Sequence, residues 1–261
     1  MRNGFTVTGG LPLGRFTQFY GVYAYEVIDS VIRSSLLSSS DTSAGAGDPL
    51  FNPLFDPGRH IESRIAPSVV FNTVDNPFTP RTGIRLTGTI ETSGGLLGGT
   101  VDYIRPDGEA IVYVPVMRRM ALGLRAQAGW IRPFADTTEL PYYRRFFLGG
   151  ETEIRGVNIR TVGPMDAQQR ALGGNKFMLF NAEYYFDLFG PVRALLFHDA
   201  GQAFSEGEYL DLRQLRTSSG IEVRVTMPML NVPFRLIYAW NIYRDAFQPA
   251  RALKFAVGTT F

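Results

Sequence analysis

Residues 84–91 (IRLTGTIE) alternate between two kinds of position along their whole length. One series runs from Ile84 to Ile90 and is apolar or small, and the other runs from Arg85 to Glu91 and is polar. Successive side chains of a β-strand point to opposite faces of the sheet. The stretch therefore predicts a strand with one apolar face and one polar face.

The same alternation recurs near the end of the chain, in residues 221–227 (IEVRVTM) and 234–242 (FRLIYAWNI). Aromatic residues make up 13% of the sequence, which favours strands over helices. The chain as a whole predicts about eleven strands, at roughly residues 4–13, 15–28, 63–74, 83–94, 100–115, 120–132, 176–188, 192–204, 215–229, 234–244 and 252–261.

Long and short connections alternate between these predicted strands. The long ones cover residues 29–62, 133–175 and 205–214, and the short ones lie near residues 12–14, 76–80, 115–117, 189–191 and 231–233. Strands that cross a membrane need about 9–11 residues, and their barrels have short turns on one side and longer loops on the other. The predicted fold is therefore all-β, a transmembrane antiparallel β-barrel. A soluble β-sandwich or barrel, with its apolar face turned to a core, is the alternative.

One predicted strand contains a turn signal. Residues 105–108 (RPDG) are typical of a β-turn, and a turn there would divide residues 100–115 into two strands too short to span a membrane. We predict a single strand with a bulge at this point.

The number of predicted strands is odd, whereas bacterial single-chain barrels have even numbers of strands. We therefore expect at least one further strand to precede the sequence. An odd barrel of the mitochondrial type, closed by parallel strands, is the alternative.

The composition argues against several classes of function. The 26 basic and 24 acidic residues give a net charge of +2 without a basic cluster, so no nucleic-acid partner is expected. The chain has no cysteine and two histidines, which leaves no thiolate ligand or cysteine nucleophile. His198 and Asp199 are neighbours on a predicted strand and must face opposite sides, with His198 towards lipid. We expect no enzyme activity, no cofactor and no metal site.

Several motifs resemble those of the BamA superfamily of outer-membrane proteins, also called the bacterial surface antigen superfamily. In chain order they are residues 75–83 (DNPFTPRTG), which are similar to a periplasmic turn, residues 143–150 (YRRFFLGG) with 154–157 (IRGV), which are similar to a loop motif, and residues 181–186 (NAEYYF), 195–201 (LLFHDAG) and 255–261 (FAVGTTF), which are similar to strands. The resemblance extends over essentially the whole chain.

The resemblance implies the place of this sequence in a larger barrel. Members of the family have sixteen strands, preceded by soluble periplasmic repeat domains. Residues 1–261 would be the C-terminal part of such a barrel, and the upstream strands and repeat domains would lie outside this sequence. Residues 133–175 would form a long outer loop that folds into the lumen.

Without the resemblance, Arg155 would be interpreted as a solvated loop arginine. The resemblance implies instead a lumen contact centred on Arg155. The motif residues around it are Gly149, Gly150, Ile154, Gly156 and Val157, and the implied partners on the barrel wall are Glu183, Asp199 and Phe197. Alternation along residues 176–188 independently puts Glu183 on the polar face, and an arginine can hold carboxylates through paired hydrogen bonds. The family usually has an aromatic residue where this chain has Val157, which puts the packing of the loop tip in doubt.

The end of the chain resembles the family's last strand. The residues that would form a C-terminal strand signal for the assembly machinery are Phe255, Val257, Gly258 and Phe261. Simple alternation puts Phe261 on the same face as Phe255, as a residue of an interfacial aromatic girdle. Gly258 is expected to weaken the pairing of this strand.

The function that the resemblance implies is an insertase of the bacterial outer membrane. Its partners would be unfolded outer-membrane β-barrel clients, the lipid bilayer and periplasmic accessory lipoproteins. The alternatives are a related translocation pore that secretes a dedicated partner or assembles autotransporters, and a passive diffusion pore.

Overall fold

Eleven long strands follow one another in the computed structural model, which describes residues 2–30, 58–167, 169–227 and 232–261. With a short additional strand, β7, they are β1 Arg2–Pro12, β2 Thr17–Ser30, β3 Gly58–Asn72, β4 Gly83–Ser93, β5 Tyr103–Met117, β6 Met120–Trp130, β7 Arg132–Pro133, β8 Lys176–Phe189, β9 Val192–Phe204, β10 Arg216–Met227, β11 Val232–Tyr243 and β12 Arg251–Val257. Single turns of 3-10 helix occur at Gly95–Leu97, Tyr142–Arg144 and Leu212–Gln214. The prediction of an all-β fold is confirmed, and the long strands correspond in order to the eleven predicted ones.

Each long strand pairs antiparallel with the long strand before it, and β7 pairs with β5. The sheet is open, because β1 and β12 are its two edges in the described part of the chain. The short connections lie together at one end of the sheet, as the antiparallel order requires. Residues 31–57 of the predicted loop 29–62, and residues 228–231 next to the last predicted turn, lie outside the described residues. None of the helices in the described residues is both long and apolar enough to span a bilayer.

The outer face of the sheet is apolar and the inner face is polar. On β4, Ile84 and Ile90 are exposed outward, with 52% of Ile90 accessible, whereas Arg85 and Glu91, which directly follow them, point inward. On β11, Leu236 is 52% exposed and its neighbour Arg235 is completely buried. A soluble sandwich would bury the apolar face, so this inverted arrangement favours a sheet whose outer face meets hydrocarbon.

Strand β5 continues through residues 105–108, so the prediction of a single strand there is confirmed. Its ladder to β4 is continuous, with Pro106 opposite Ile90, and the predicted bulge is not at this point. The register shift of β5 occurs instead between Pro115 and Met117, against β6. The ladder between β5 and β6 starts at Asp107, so Pro106 lies just outside it. The proline is tolerated because no N–H is needed there to pair with β6.

The last strand is shorter than the sequence predicts. β12 ends at Val257, and Gly258 follows with a φ of 108° while its N–H donates to the Pro233 carbonyl at 2.9 Å. Phe255 is 64% exposed on the outer face, whereas Phe261 is 9% exposed on the inner face. The expectation that these two residues share a face is wrong, because the left-handed conformation of Gly258 interrupts the alternation of the strand.

The turn between β3 and β4 is held by the carboxylate of Asp75. Its Oδ1 accepts N–H groups from Asn76 at 2.9 Å, Arg81 at 3.0 Å and Thr82 at 3.3 Å. Burial raises the pKa of Asp75, but these backbone donors outweigh burial and hold the pKa below its ordinary value. Arg193 donates to the Pro80 carbonyl at 3.3 Å, which attaches the turn to β9.

We expect Asp75→Asn to lower the stability of the protein by about 1 kcal/mol or less at neutral pH, because hydrogen bonds to an ionised acceptor are stronger than those to an amide. A lowered folded-state pKa stabilises the protein above the unfolded value and loses that effect as the pH falls through the folded one. Urea unfolding between pH 7 and pH 2 should therefore show the wild type and the variant converging below the ordinary value of 3.8. An undiminished difference at pH 2 would contradict this role of the charge.

Candidate functional site

The connection between β7 and β8 lies against the inner face of the sheet. Its apolar residues Leu148, Ile154 and Val162 are buried in one cluster with Phe177 of β8 and Tyr103 of β5. The connection therefore forms an internal core with the wall, and we call residues 134–175 the lumen loop.

Arg155 of the lumen loop is completely buried and surrounded by carboxylates. Its Nε and Nη2 atoms donate to the two oxygens of Asp199 at 2.8 and 2.6 Å, and its backbone N–H donates to Asp199 Oδ2 at 3.0 Å. Its Nη1 donates to Glu183 Oε1 at 2.5 Å and to Glu222 Oε2 at 3.0 Å. Five hydrogen bonds from one residue to three carboxylates attach the loop to the wall.

The register of the sheet brings these carboxylates together. Asp199 lies opposite Asn181 on β8 and opposite Ser218 on β10. Glu183 is two residues beyond Asn181 on the same face of β8, and Glu222 is four residues beyond Ser218 on the same face of β10. Residues two apart on a strand share a face, so the acidic groups of adjacent strands converge on one point.

The Phe197 ring lies directly against the Arg155 guanidinium group. The Arg155 guanidinium carbon lies 3.9 Å from the centre of the Phe197 ring, which is a cation–π contact. Gly220 lies opposite Phe197 on β10, and a β-carbon at Gly220 would come within 2.7 Å of that ring. The glycine therefore leaves the space that the ring occupies.

Gly156 allows the loop to approach β11 closely. It has a φ of 84°, and a β-carbon there would overlap the Ala239 side chain. The Gly156 carbonyl accepts a hydrogen bond from Asn241 Nδ2 at 3.0 Å. A larger residue at this position would push the loop away from the wall.

The other motif residues support the same loop. Gly149 and Gly150 have positive φ angles, and the Gly149 N–H donates to Glu153 Oε2 at 2.8 Å. Val157, which stands where the family usually has an aromatic residue, is 1% exposed within the loop core, and its carbonyl accepts from Lys254 Nζ at 3.2 Å. The aliphatic side chain at this position is therefore packed rather than exposed.

Three further charged residues belong to this site and were not singled out in the sequence. Glu222 accepts from Arg224 Nε at 2.5 Å and from Arg235 Nε at 2.6 Å, and Arg224 Nη2 also donates to Glu183 at 2.7 Å. The available signal was the alternation of residues 221–227 and 234–242, which puts all three on the polar face. We define the first charge cluster as Arg155, Arg224, Arg235, Glu183, Asp199 and Glu222.

The first charge cluster is suited to fastening and not to proton transfer. Its three arginines balance its three carboxylates, and arginine does not lose its proton in proteins. His198 is turned away from it, on the outer face, where its Nδ1 lies 2.7 Å from Ser219 Oγ. The prediction that His198 and Asp199 face opposite sides is confirmed.

The end of the chain reaches the same cluster. Phe255 and Val257 are exposed on the outer face, and after Gly258 the chain turns inward. Arg224 Nη2 donates to Thr260 Oγ1 at 2.9 Å. The Phe261 ring stacks on Tyr113 of β5, with ring centres 6.2 Å apart.

Comparison with known proteins gives consistent results. Residues 2–261 match the family model for the Omp85 superfamily domain. The outer membrane protein assembly factor BamA of Nitratidesulfovibrio vulgaris is 28% identical over 209 residues, which cover 78% of this chain and 26% of that relative. BamA of Neorickettsia risticii is 33% identical over 218 residues, which cover 78% of this chain and 28% of that relative.

The same fold occurs in a solved structure. The crystal structure of BamA from Haemophilus ducreyi lacking POTRA domains 1–3 superposes with a TM-score of 0.73 at 17% identity, over 98% of this chain and 53% of that chain. At this identity the superposition shows the fold alone. The present chain spans 26% and 28% of the length of the two curated relatives.

Proposed function

The chain belongs to the Omp85 superfamily, and from that premise we propose that it is part of an insertase that folds β-barrel proteins into the outer membrane through a weakly paired seam at its last strand. The family and the names of its BamA relatives indicate the bacterial outer membrane. The observation that best supports this proposal is that β12 is short and ends at Gly258.

β12 has 7 residues, whereas its neighbour β11 has 12. Along β12, pairing with β11 starts at Arg251, opposite Trp240, and stops at Val257, opposite Phe234. The chain leaves the strand at the next residue, Gly258. In the described part of the chain, β12 therefore has the fewest paired residues of the long strands.

An unpaired edge is costly in a bilayer, because each unsatisfied backbone group in hydrocarbon costs on the order of several kcal/mol. A strand of an incoming protein can satisfy such an edge by adding to the sheet. Unfolded outer-membrane β-barrel proteins have strands of this kind, so they are the proposed clients. The lipid bilayer and periplasmic accessory lipoproteins are the other proposed partners.

The lumen loop argues against a simple pore. Its core residues and Arg155 occupy the inner face of the sheet, where an open channel would need water. A translocation pore would have to release this loop, whereas an insertase that works at the seam can keep it in place.

The function is tested with the full-length protein in liposomes, by the rate at which an added unfolded outer-membrane barrel becomes folded. An insertase should accelerate folding relative to liposomes that contain an unrelated outer-membrane barrel of similar size. A stably inserted protein that gives no acceleration but carries a steady ionic current would overturn the proposal and favour a translocation or diffusion pore.

A further inference from the structure

A second group of ion pairs, buried around Glu62 and exposed at Arg2, lies on the wall formed by β1 to β4, away from the first charge cluster. We define the second charge cluster as Arg2, Arg64, Arg144, Glu26, Glu62 and Glu91. Five of these residues belong to the strands, and Arg144 belongs to the lumen loop. Like the first cluster, this one contains three arginines and three carboxylates, with a loop arginine among the wall residues.

Arg144 engages the wall through both sides of its guanidinium group. Its Nε donates to Glu62 Oε1 at 3.0 Å and its Nη2 donates to Glu62 Oε2, so the pair is bidentate. Its Nη1 lies 3.5 Å from Glu91 Oε1. Glu62 is completely buried, and Tyr103 Oη donates to Glu91 Oε1 at 2.5 Å, which orients the second carboxylate.

The two loop arginines hold different parts of the sheet. Arg144 binds β3 and β4, whereas Arg155 binds β8, β9 and β10, with β5 and β6 between the two sites. The segment between the two arginines contains Phe146 and Leu148, whose side chains are buried. The loop is therefore fastened to the wall at two separated places.

We propose that Arg144 is a second anchor of the lumen loop, and that the lumen stays closed as long as either Arg144 or Arg155 keeps its carboxylates. Withdrawing either arginine leaves a buried carboxylate without its partner, which strongly opposes release of that part of the loop. Opening the lumen then requires both anchors to be released. This inference concerns the loop alone and holds whether or not the barrel inserts clients.

The anchor at Arg144 is tested by the accessibility of the N-terminal part of the loop. Residues 1–261 contain no cysteine, so Leu140→Cys, in a full-length protein whose upstream cysteines are replaced by serine, places a single thiol at a position that is 5% exposed. In the full-length protein in liposomes, Arg144→Gln should raise the labelling rate of this thiol by a membrane-impermeant maleimide by about two orders of magnitude, because breaking a buried ion pair favours local opening. Arg144→Lys, which keeps the charge but cannot form the bidentate pair, should restore part of the protection.

Arg160→Gln is the matched control, because Arg160 is exposed and its guanidinium carbon lies 5.2 Å from the Phe147 ring centre rather than against a wall carboxylate. It should label at close to the parent rate. If Arg144→Gln prevents folding, Arg144→Gln with Glu62→Gln removes the uncompensated carboxylate and should still label fast. Labelling of a folded Arg144 variant at the rate of the Arg160 control would overturn the proposal.

The need to release both anchors is tested by conductance in planar bilayers. Arg144→Gln and Arg155→Gln should each stay within about twofold of the parent, whereas the double variant should conduct about tenfold more, since coupled sites give non-additive effects. A double variant that conducts no more than the larger single variant, or a single variant that opens the lumen fully, would overturn the two-anchor arrangement.

Discussion

Replacing Arg155 with glutamine should destabilise the folded barrel by about 3–5 kcal/mol, because it leaves the buried carboxylates of Asp199, Glu183 and Glu222 without the cation that joins them. The lumen loop should become sensitive to protease before the strands do, since the strands keep their own ladders. The measurement is the midpoint of urea unfolding in liposomes or detergent, together with the rate of proteolysis within residues 134–175.

The matched control is Arg160→Gln, another arginine of the same loop. Arg160 is exposed, and its guanidinium carbon lies 5.2 Å from the Phe147 ring centre, a contact worth about 1 kcal/mol or less. Adding Asp199→Asn to Arg155→Gln should recover part of the lost stability by removing one uncompensated charge. Equal effects of the two arginine variants would show that the first charge cluster does not hold the loop.

Replacing Gly258 with valine should slow client insertion by about tenfold, which corresponds to about 1.4 kcal/mol of added seam stability. Gly258 has a φ of 108°, which a β-branched residue avoids, so valine should favour an extended chain that continues the β11–β12 ladder. A β-carbon at this position would meet no atom within 4 Å, so the variant creates no clash. The readout is the folding rate of an unfolded outer-membrane barrel in liposomes.

The control for this variant is Gly88→Ala in β4, where a β-carbon likewise meets no atom but φ is not positive. It should insert clients at the parent rate. If Gly258→Val remains folded and inserted but inserts clients at the parent rate, weak pairing of the last strand is not part of the mechanism. The role of Phe255, Val257, Gly258 and Phe261 as a recognition signal stays a prediction.

Most of the fold was predictable from local pattern. The alternation of residues 84–91 determines which side chains of β4 face outward, because the period of a strand is fixed by its backbone. The same reasoning located eleven long strands in the correct order. The position of the bulge in β5 was not predictable, since it depends on where the ladder to β6 begins and ends.

The candidate site was only partly predictable. The motif around Arg155 named Glu183 and Asp199, and the structure brings the three residues within hydrogen-bond distance. Glu222 lies on the polar face of its strand by alternation, but its contact with Arg155 depends on the register of β9 against β10. Alternation alone cannot choose between the several charged residues that share one face.

The sequence by itself determined the strand order and the apolar outer face, because these follow from the local period of the backbone. The arginine that binds the wall was identified through the resemblance to family motifs, since a strand period gives no information on a loop residue. Only the tertiary structure decided that Glu62 pairs with Arg144, 82 residues away, and that Phe261 packs on Tyr113, 148 residues away. Both outcomes depend on the register of many paired strands and on one left-handed glycine, Gly258. Such contacts are stabilised by burial and charge pairing between distant segments, which no local period encodes.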